Sequence, residues 1–180
     1  MTHRNLLIAL TSLTLMTSAV AQHAHPGHAG TAGHAHNPYS ALQSRTIKAL
    51  SDRDIADIRA GKGMSLALPA ELNGYPGPSH VLELAGPLKL SEPQRARTEA
   101  LFKQMQAEAI AAGEAWIEAE ASLDQLFKGR QVTPDTLSRA TARAASAHGR
   151  VRETHLRYHL MMMEVLSPEQ VSQYKQLRGY

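Results

Sequence analysis

The apolar positions in residues 136–165 recur with the spacing of a helix that lies along another helix. The seam steps by fours and threes through Leu137, Thr141, Ala144, His148, Val151, His155, Tyr158, Met162 and Val165. The arginines of this stretch fall off the seam, where water can solvate them. The pattern predicts one long helix with a partner helix along its apolar side.

A second seam supplies that partner. It steps in the same way through Leu101, Met105, Ala109, Ala112, Trp116, Ala119, Leu123 and Leu126. Gly129 closes this helix, and Thr133 with Pro134 opens the next one. Long helices near residues 91–128 and 135–165 with so short a link must be antiparallel neighbours. The predicted fold class is all-α, a long antiparallel helical hairpin with short flanking helices.

Shorter elements flank the hairpin. Residues 41–60 are predicted to be helical in two pieces, with Ser51 as an N-cap. Glycine and proline punctuate residues 61–78, which we expect to be an ordered loop packed on the helices. Residues 79–85 form a predicted short helix, and a last one runs from Ser167 to about Leu177.

The N-terminus has the pattern of an export signal. Arg4 precedes a short apolar run over residues 6–16, and Ala19-Val20-Ala21 fits the small-x-small cleavage rule. The sequence therefore predicts a signal peptide at 1–21, a histidine-rich tail at 22–40 and a single helical domain at 41–180. After cleavage no transmembrane segment is expected, since no later run is long enough. The alternative is an uncleaved N-terminal anchor.

Composition excludes several classes of function. The chain has no cysteine, so it has no disulfide, thiolate metal site or cysteine nucleophile. Loss of Arg4 with the signal takes the 19 basic residues to 18, against 16 acidic ones, so nucleic acid is not an expected partner. Glutamates concentrate in residues 92–124 and arginines in residues 130–157, so the two long helices should attract each other.

The tail is dense in imidazoles. It carries His23, His25, His28, His34 and His36 among glycine, alanine and proline. Such a segment cannot bury enough apolar surface to fold, but a histidine-dense tract is a compositional signal for metal binding. The alternative is a spacer whose histidines bind nothing.

A second candidate metal site lies on the seam itself. His155 and His159 are one turn apart on a helix face, and Met162 and Met163 follow. Imidazole suits zinc, nickel and copper, and thioether suits copper(I). In the register expected of the hairpin, Glu108 lies near His155 and could complete the site, as could His80 from the short helix. The alternative is that both histidines are ordinary seam residues and the methionines fill the core.

Two short motifs open helices. Leu90-Ser91-Glu92-Pro93-Gln94 and Leu166-Ser167-Pro168-Glu169-Gln170 each place a serine N-cap three residues before a glutamine, which is a capping box. The pair resembles the LTxxQ motif of the Spy/CpxP family of periplasmic proteins, with serine for the usual threonine. The relatives include zinc-resistance-associated proteins and CnrX-type nickel and cobalt sensors, and the resemblance covers roughly residues 79–180.

The resemblance implies a periplasmic, hooked helical hairpin that forms a homodimeric cradle. Family members bind unfolded clients, or bind metal and report it to an envelope stress sensor. The sensor branch uses an HxxxH pair, a glutamate and an HxxxM pair. His159 and Met163 match the last spacing, and Glu108 is a candidate carboxylate. His80 lies near the first pair, but Leu84 occupies its partner position.

We therefore expect a metal-responsive envelope stress protein that binds zinc, nickel, cobalt or copper. The alternative is an ATP-independent chaperone for unfolded periplasmic proteins. We expect no enzyme, because His155-x-x-x-His159 lacks the glutamate that zinc peptidases place after the first histidine.

Overall fold

The structure is a computed structural model that describes residues 39–180. The predicted signal peptide and nearly all of the histidine-rich tail, with His23, His25, His28, His34 and His36, lie outside the described residues. The part that is described contains helices and no strand, with a single isolated bridge between Ile47 and Leu50. This confirms the predicted all-α class.

Two long helices form the hairpin. They are helix α4 (Glu92–Lys128) and helix α5 (Pro134–Val165). Three shorter helices precede them, α1 (Asp52–Arg59), α2 (Leu68–Glu71) and α3 (Pro78–Glu83), and α6 (Pro168–Arg178) follows. Each of α4, α5 and α6 starts with a capping box and a proline in its first turn. The predicted bounds of these three helices are therefore confirmed to within a residue or two.

Cross-helix pairs fix the register of the hairpin. Trp116 stacks on His148 with ring centroids 4.4 Å apart, and Arg143 donates to Glu118 at 3.0 Å. Nearer the other end, the Tyr158 hydroxyl donates to Glu108 at 2.9 Å. These pairs agree with the predicted register to within one helical turn. They also show the expected attraction between glutamates of α4 and arginines of α5.

The interior of the hairpin is uneven along its length. At the end away from the link, large side chains from α3, α4, α5, α6 and the segments that join them form one core, the base cluster: Val81, Leu88, Leu101, Met105, Tyr158, Met162, Leu166, Val171 and Tyr174. Toward the link the buried contacts are Ala119, Ala144 and Ala147, the alanine cluster. Leu137 and Phe127, nearest the link, remain 38% and 55% exposed. The predicted seam thus holds from Ala144 onward and fails at its first positions.

The flanking segments pack against the hairpin. A 3₁₀ turn at Ser40–Leu42 precedes α1, which begins in a capping box between Ser51 and Asp54. Ile58 of α1 packs with Ile47, Leu50 and Ile117. The segment predicted to be a loop contains the short helix α2, with Pro69 in its first turn. It is otherwise ordered and packed on the long helices, as expected.

No helix between residues 39 and 180 combines the length and the apolar character that crossing a membrane requires.

Candidate functional site

A cavity of about 350 Å³ lies where the segment 63–80 crosses the base of the hairpin. Two imidazoles of α5, His155 and His159, form part of its wall. Met105 of α4 contributes from the facing helix. The remaining lining comes from the crossing segment and from the end of α6, and it includes Met64, Glu71, Gly77, His80, Arg178 and Tyr180.

His155 and His159 reach the cavity because they lie one turn apart on the buried face of α5. They are only 3% and 7% exposed. A glycine of the crossing segment allows the chain to pass close to His159. A Cβ on Gly77 would lie 2.8 Å from His159 Cε1, closer than real contacts allow, so a side chain there would displace the imidazole. A Cβ on Gly63 would lie 3.8 Å from His155 Nδ1, an ordinary contact, so the approach there does not depend on glycine.

The tautomer of His159 follows from its hydrogen bond. Its Nδ1 lies 2.7 Å from the backbone oxygen of Tyr75. A carbonyl oxygen only accepts, so Nδ1 carries the proton and Nε2 keeps a free lone pair. Burial lowers the pKa of His159, against the opposite effects of the Tyr75 hydrogen bond and the Glu71 charge. A neutral imidazole oriented through Nδ1 is the usual form of a histidine metal ligand.

His155 has a buried ring nitrogen without a partner. Its Nε2 is inaccessible to solvent and makes no hydrogen bond within the described chain. Burial, and then the neighbouring His159, lower the pKa of His155, so its ring is neutral at neutral pH. An unpaired buried polar atom costs about 1–3 kcal/mol, which a ligand or water atom bonded to this nitrogen would recover.

Glu71 anchors the wall on the side of α6. Its Oε1 accepts hydrogen bonds from the Tyr174 hydroxyl, from Arg178 Nε at 3.2 Å and from the Tyr180 hydroxyl at 3.2 Å. His80 Nδ1 also lies 3.2 Å from Oε1. The other oxygen, Oε2, is buried and has no hydrogen bond, with His159 Nδ1 at 3.8 Å.

The carboxyl of Glu71 is ionised despite its burial. Burial alone would raise its pKa, but hydrogen bonds from His80 and Tyr174, and the positive charges that His80 and His159 carry in acid, lower the pKa to about 2. Burial, and then the hydrogen bond to Glu71, raise the pKa of the Tyr174 hydroxyl, which therefore stays protonated. The cavity thus has the ion pair of Glu71 and Arg178 on one side and two neutral imidazoles on another.

The structure separates the other residues of the predicted site. Met162 is fully buried in the base cluster and Met163 is 39% exposed, and neither lines the cavity. Glu108 is held by Arg157 and by the Tyr158 hydroxyl, and it too is not part of the lining. His80 does line the cavity, where it contacts Glu71. Of the six residues, His155, His159 and His80 are therefore brought together.

The carboxylates and imidazoles do not form a ready-made chelate. No three histidine, aspartate or glutamate side chains in residues 39–180 are grouped as a metal site. Any metal bound by His155 and His159 therefore needs donors of another kind, and the lining offers the thioethers of Met64 and Met105.

Several residues of the site were missed from the sequence. Glu71, Tyr75, Met105, Tyr174 and Arg178 gave no motif. One signal was available for Glu71, which is the lone acid in residues 64–79, a stretch of glycine, proline and apolar residues. An acid in a packed apolar segment must be paired, and paired buried acids mark sites.

The motif residues are placed as their capping chemistry requires. The hydroxyl oxygens of Ser91 and Ser167 accept hydrogen bonds from the backbone N–H groups of Gln94 and Gln170. Each serine N–H in turn donates to the side-chain oxygen of the same glutamine. Leu90 and Leu166 precede these caps and pack at the base cluster. Leu166 is itself buried there. The leucine of each motif therefore anchors the start of the following helix to the base cluster.

Fold and site together define a helical-hairpin protein with a buried imidazole pair beside a carboxylate-anchored cavity. Comparisons of this chain with protein-family models, with curated proteins and with solved structures found no match.

Proposed function

We propose that the chain is an exported, periplasmic metal-binding protein of the Spy/CpxP type, with its folded-domain site at His155 and His159. The observation that carries the proposal is the unpartnered, buried Nε2 of His155, one helical turn from His159, whose own Nε2 is left free by the bond between Nδ1 and Tyr75. Two neutral imidazoles one turn apart can hold one zinc, nickel, cobalt or copper ion from a single helix face. The LTxxQ-like motifs and the export signal support the family assignment.

The tail has a separate part in the proposal. Its five imidazoles would gather metal ions loosely, while the cavity would bind one ion with defined donors. Binding in the folded domain stabilises the native state by mass action, so occupancy can be reported as a change in stability. A metal-responsive role in envelope stress follows from such coupling.

The test uses the full chain with the five tail histidines replaced by serine, which removes the tail's imidazoles and keeps its length. We expect zinc, nickel, cobalt or copper to raise the Tm of this protein. The double change His155→Ala, His159→Ala should abolish the increase, with the far-UV circular dichroism unchanged. His148→Ala is the matched control, because His148 lies on the same seam but outside the cavity. No metal-dependent increase with any of these ions would refute the proposal.

A chaperone role is the second candidate, and one surface feature favours it. Leu160 and Met163 lie three residues apart on α5 and are 58% and 39% exposed. Together with Leu137 and Phe127 they give the long helices apolar side chains that an unfolded chain can contact. The test is suppression of aggregation of a denatured client without nucleotide, which Leu160→Ser with Met163→Ser should weaken. Full retention of the activity in that variant would count against this surface.

We also propose a homodimer, since the alanine cluster buries little area for the length of the hairpin. The exposed apolar side chains of α5 would then be shared between two copies. Sedimentation velocity at micromolar concentration should show a dimer, and a stable monomer would contradict it.

A further inference from the structure

The cavity contains two methionines that neither the histidine pair nor the motifs indicated. Met105 of α4 is 7% exposed and lines the cavity. Met64 belongs to the crossing segment and lies at the cavity between Gly63 and Ser65. Residues with thioether and imidazole groups, from three parts of the chain, therefore line one space, although Met64 also packs against the cluster around Ile58 and Met105 also belongs to the base cluster.

Met64 is held there by an unusual backbone. Its φ is 45° and that of Ser65 is 63°, so two consecutive residues other than glycine adopt the left-handed region. Such conformations cost on the order of 1–3 kcal/mol each and persist where the surroundings impose them, often at ligand sites. Here the turn directs the segment across the imidazole pair.

We infer that the cavity binds copper in its reduced form, Cu(I), through His155, His159, Met64 and Met105. This inference rests on the metal site proposed above and names its ion. Thioether sulfur is a soft donor that selects Cu(I), and imidazole is compatible with it, whereas zinc prefers thiolate, imidazole and carboxylate. Within residues 39–180 no third histidine or carboxylate joins the pair to form the set that zinc uses.

Charge favours the same ion. The cost of burying a cation rises steeply with its charge, so a singly charged ion is better suited than a doubly charged one to imidazoles that are only 3% and 7% exposed. The buried Oε2 of Glu71 lies 3.8 Å from His159 Nδ1 and brings one negative charge to the site. Arg178 already pairs with Oε1 of Glu71 at 3.2 Å, so the carboxylate offsets little of the charge of a bound ion, which is a further reason for a singly charged one.

The experiment measures Cu(I) affinity by anaerobic competition with a chromogenic Cu(I) chelator, and Zn(II) affinity in parallel. It uses the full chain with the five tail histidines replaced by serine. The variant is Met64→Leu with Met105→Leu, which keeps apolar volume and removes both sulfurs. Met163→Leu is the matched control, because Met163 lies outside the cavity. X-ray absorption of the copper-loaded protein reports sulfur donors directly.

We expect the double methionine variant to bind Cu(I) at least about 10–100-fold more weakly, since loss of a mere outer-shell partner of a metal ligand already costs that much. Its Zn(II) affinity should be unchanged. The control should match the parent, and the spectrum should show copper–sulfur scattering. Unchanged Cu(I) affinity in the variant, or a spectrum without sulfur, would overturn the inference and leave a histidine-based site intact. Failure of every metal to bind in a histidine-dependent way would instead remove the proposed function, and this inference with it.

Discussion

Gln94 and Gln170 exchange side-chain hydrogen bonds. Nε2 of Gln94 donates to Oε1 of Gln170 at 2.8 Å, and Nε2 of Gln170 donates back at 3.1 Å. The same amides also donate to the backbone oxygens of Val165 and Leu88. The two Leu-Ser-x-x-Gln motifs are thus hydrogen-bonded to each other: each glutamine caps its own helix and also bonds the glutamine at the start of the other helix.

This pairing predicts coupled effects on stability. Gln94→Ala and Gln170→Ala should each lower the free energy of unfolding by about 1–2 kcal/mol, because partly buried donors and acceptors lose partners. The double variant should show a coupling energy within about 0.5–3 kcal/mol, measured by urea denaturation in a double-mutant cycle. Gln94→Glu keeps a capping side chain but has no N–H to donate, so it should still be destabilising. Additive single effects would show that the pair is not coupled.

Gly113 and Gly149 provide a matched pair of helix-interior glycines. A Cβ on Gly113 would lie 2.4 Å from Ile58 Cγ2 and 3.2 Å from the Ile58 oxygen, whereas a Cβ on Gly149 would meet nothing within 4 Å. Gly113→Ala should therefore destabilise the protein by about 1–3 kcal/mol through overpacking of α1 on α4. Gly149→Ala should stabilise it by about 0.5–1 kcal/mol. Thermal or urea denaturation checks both, and the same sign for both would contradict the packing.

Glu71 predicts a loss of stability in acid. Its pKa in the folded protein is about 2, below the ordinary value of 4.5, so the folded state favours the ionised carboxyl. The stabilisation is present above about pH 4.5 and is lost as the pH falls toward 2, with a size on the order of 2–3 kcal/mol. Urea denaturation of the metal-free protein across this window should show the decline, and Glu71→Gln should flatten it. An equally steep decline in that variant would assign the effect to other carboxyls.

Gly77 tests how closely the crossing segment must pass the imidazole. Gly77→Ala would place a methyl 2.8 Å from His159 Cε1 and 3.0 Å from Nε2. It should weaken metal binding by about 10–100-fold, the range seen when a ligand's orientation is lost. Gly86→Ala is the control, since a Cβ there meets nothing within 4 Å. Competition titration of both variants measures the effect, and equal affinities would show that the imidazole can move without cost.

The fold could be predicted from the sequence because short-range patterns determine it. The two seams, the Ser-Pro helix starts and Gly129 are short-range signals, and all of them fixed helix bounds. The site was less accessible because it depends on where residues 63–80 cross the hairpin. Helical spacing brought out His155 and His159 but not Met105, which looked like any other seam residue. The short link predicted correctly that Glu108 faces α5. It could not predict which residues of α5 Glu108 contacts, because a helix rotation of less than one turn separates His155 from the observed partners Arg157 and Tyr158.

The contrast between the base cluster and the alanine cluster has a consequence for motion. Opening the hairpin at the link end exposes the three alanines and the partly buried Trp116 that packs on them, so it should require less free energy than opening at the base, which exposes tyrosines, leucines and methionines. Amide hydrogen exchange would then proceed in two steps, with residues near the link exchanging through partial opening and those around His155 only through global unfolding. The hairpin would therefore stay closed around the cavity while its link end opens and closes.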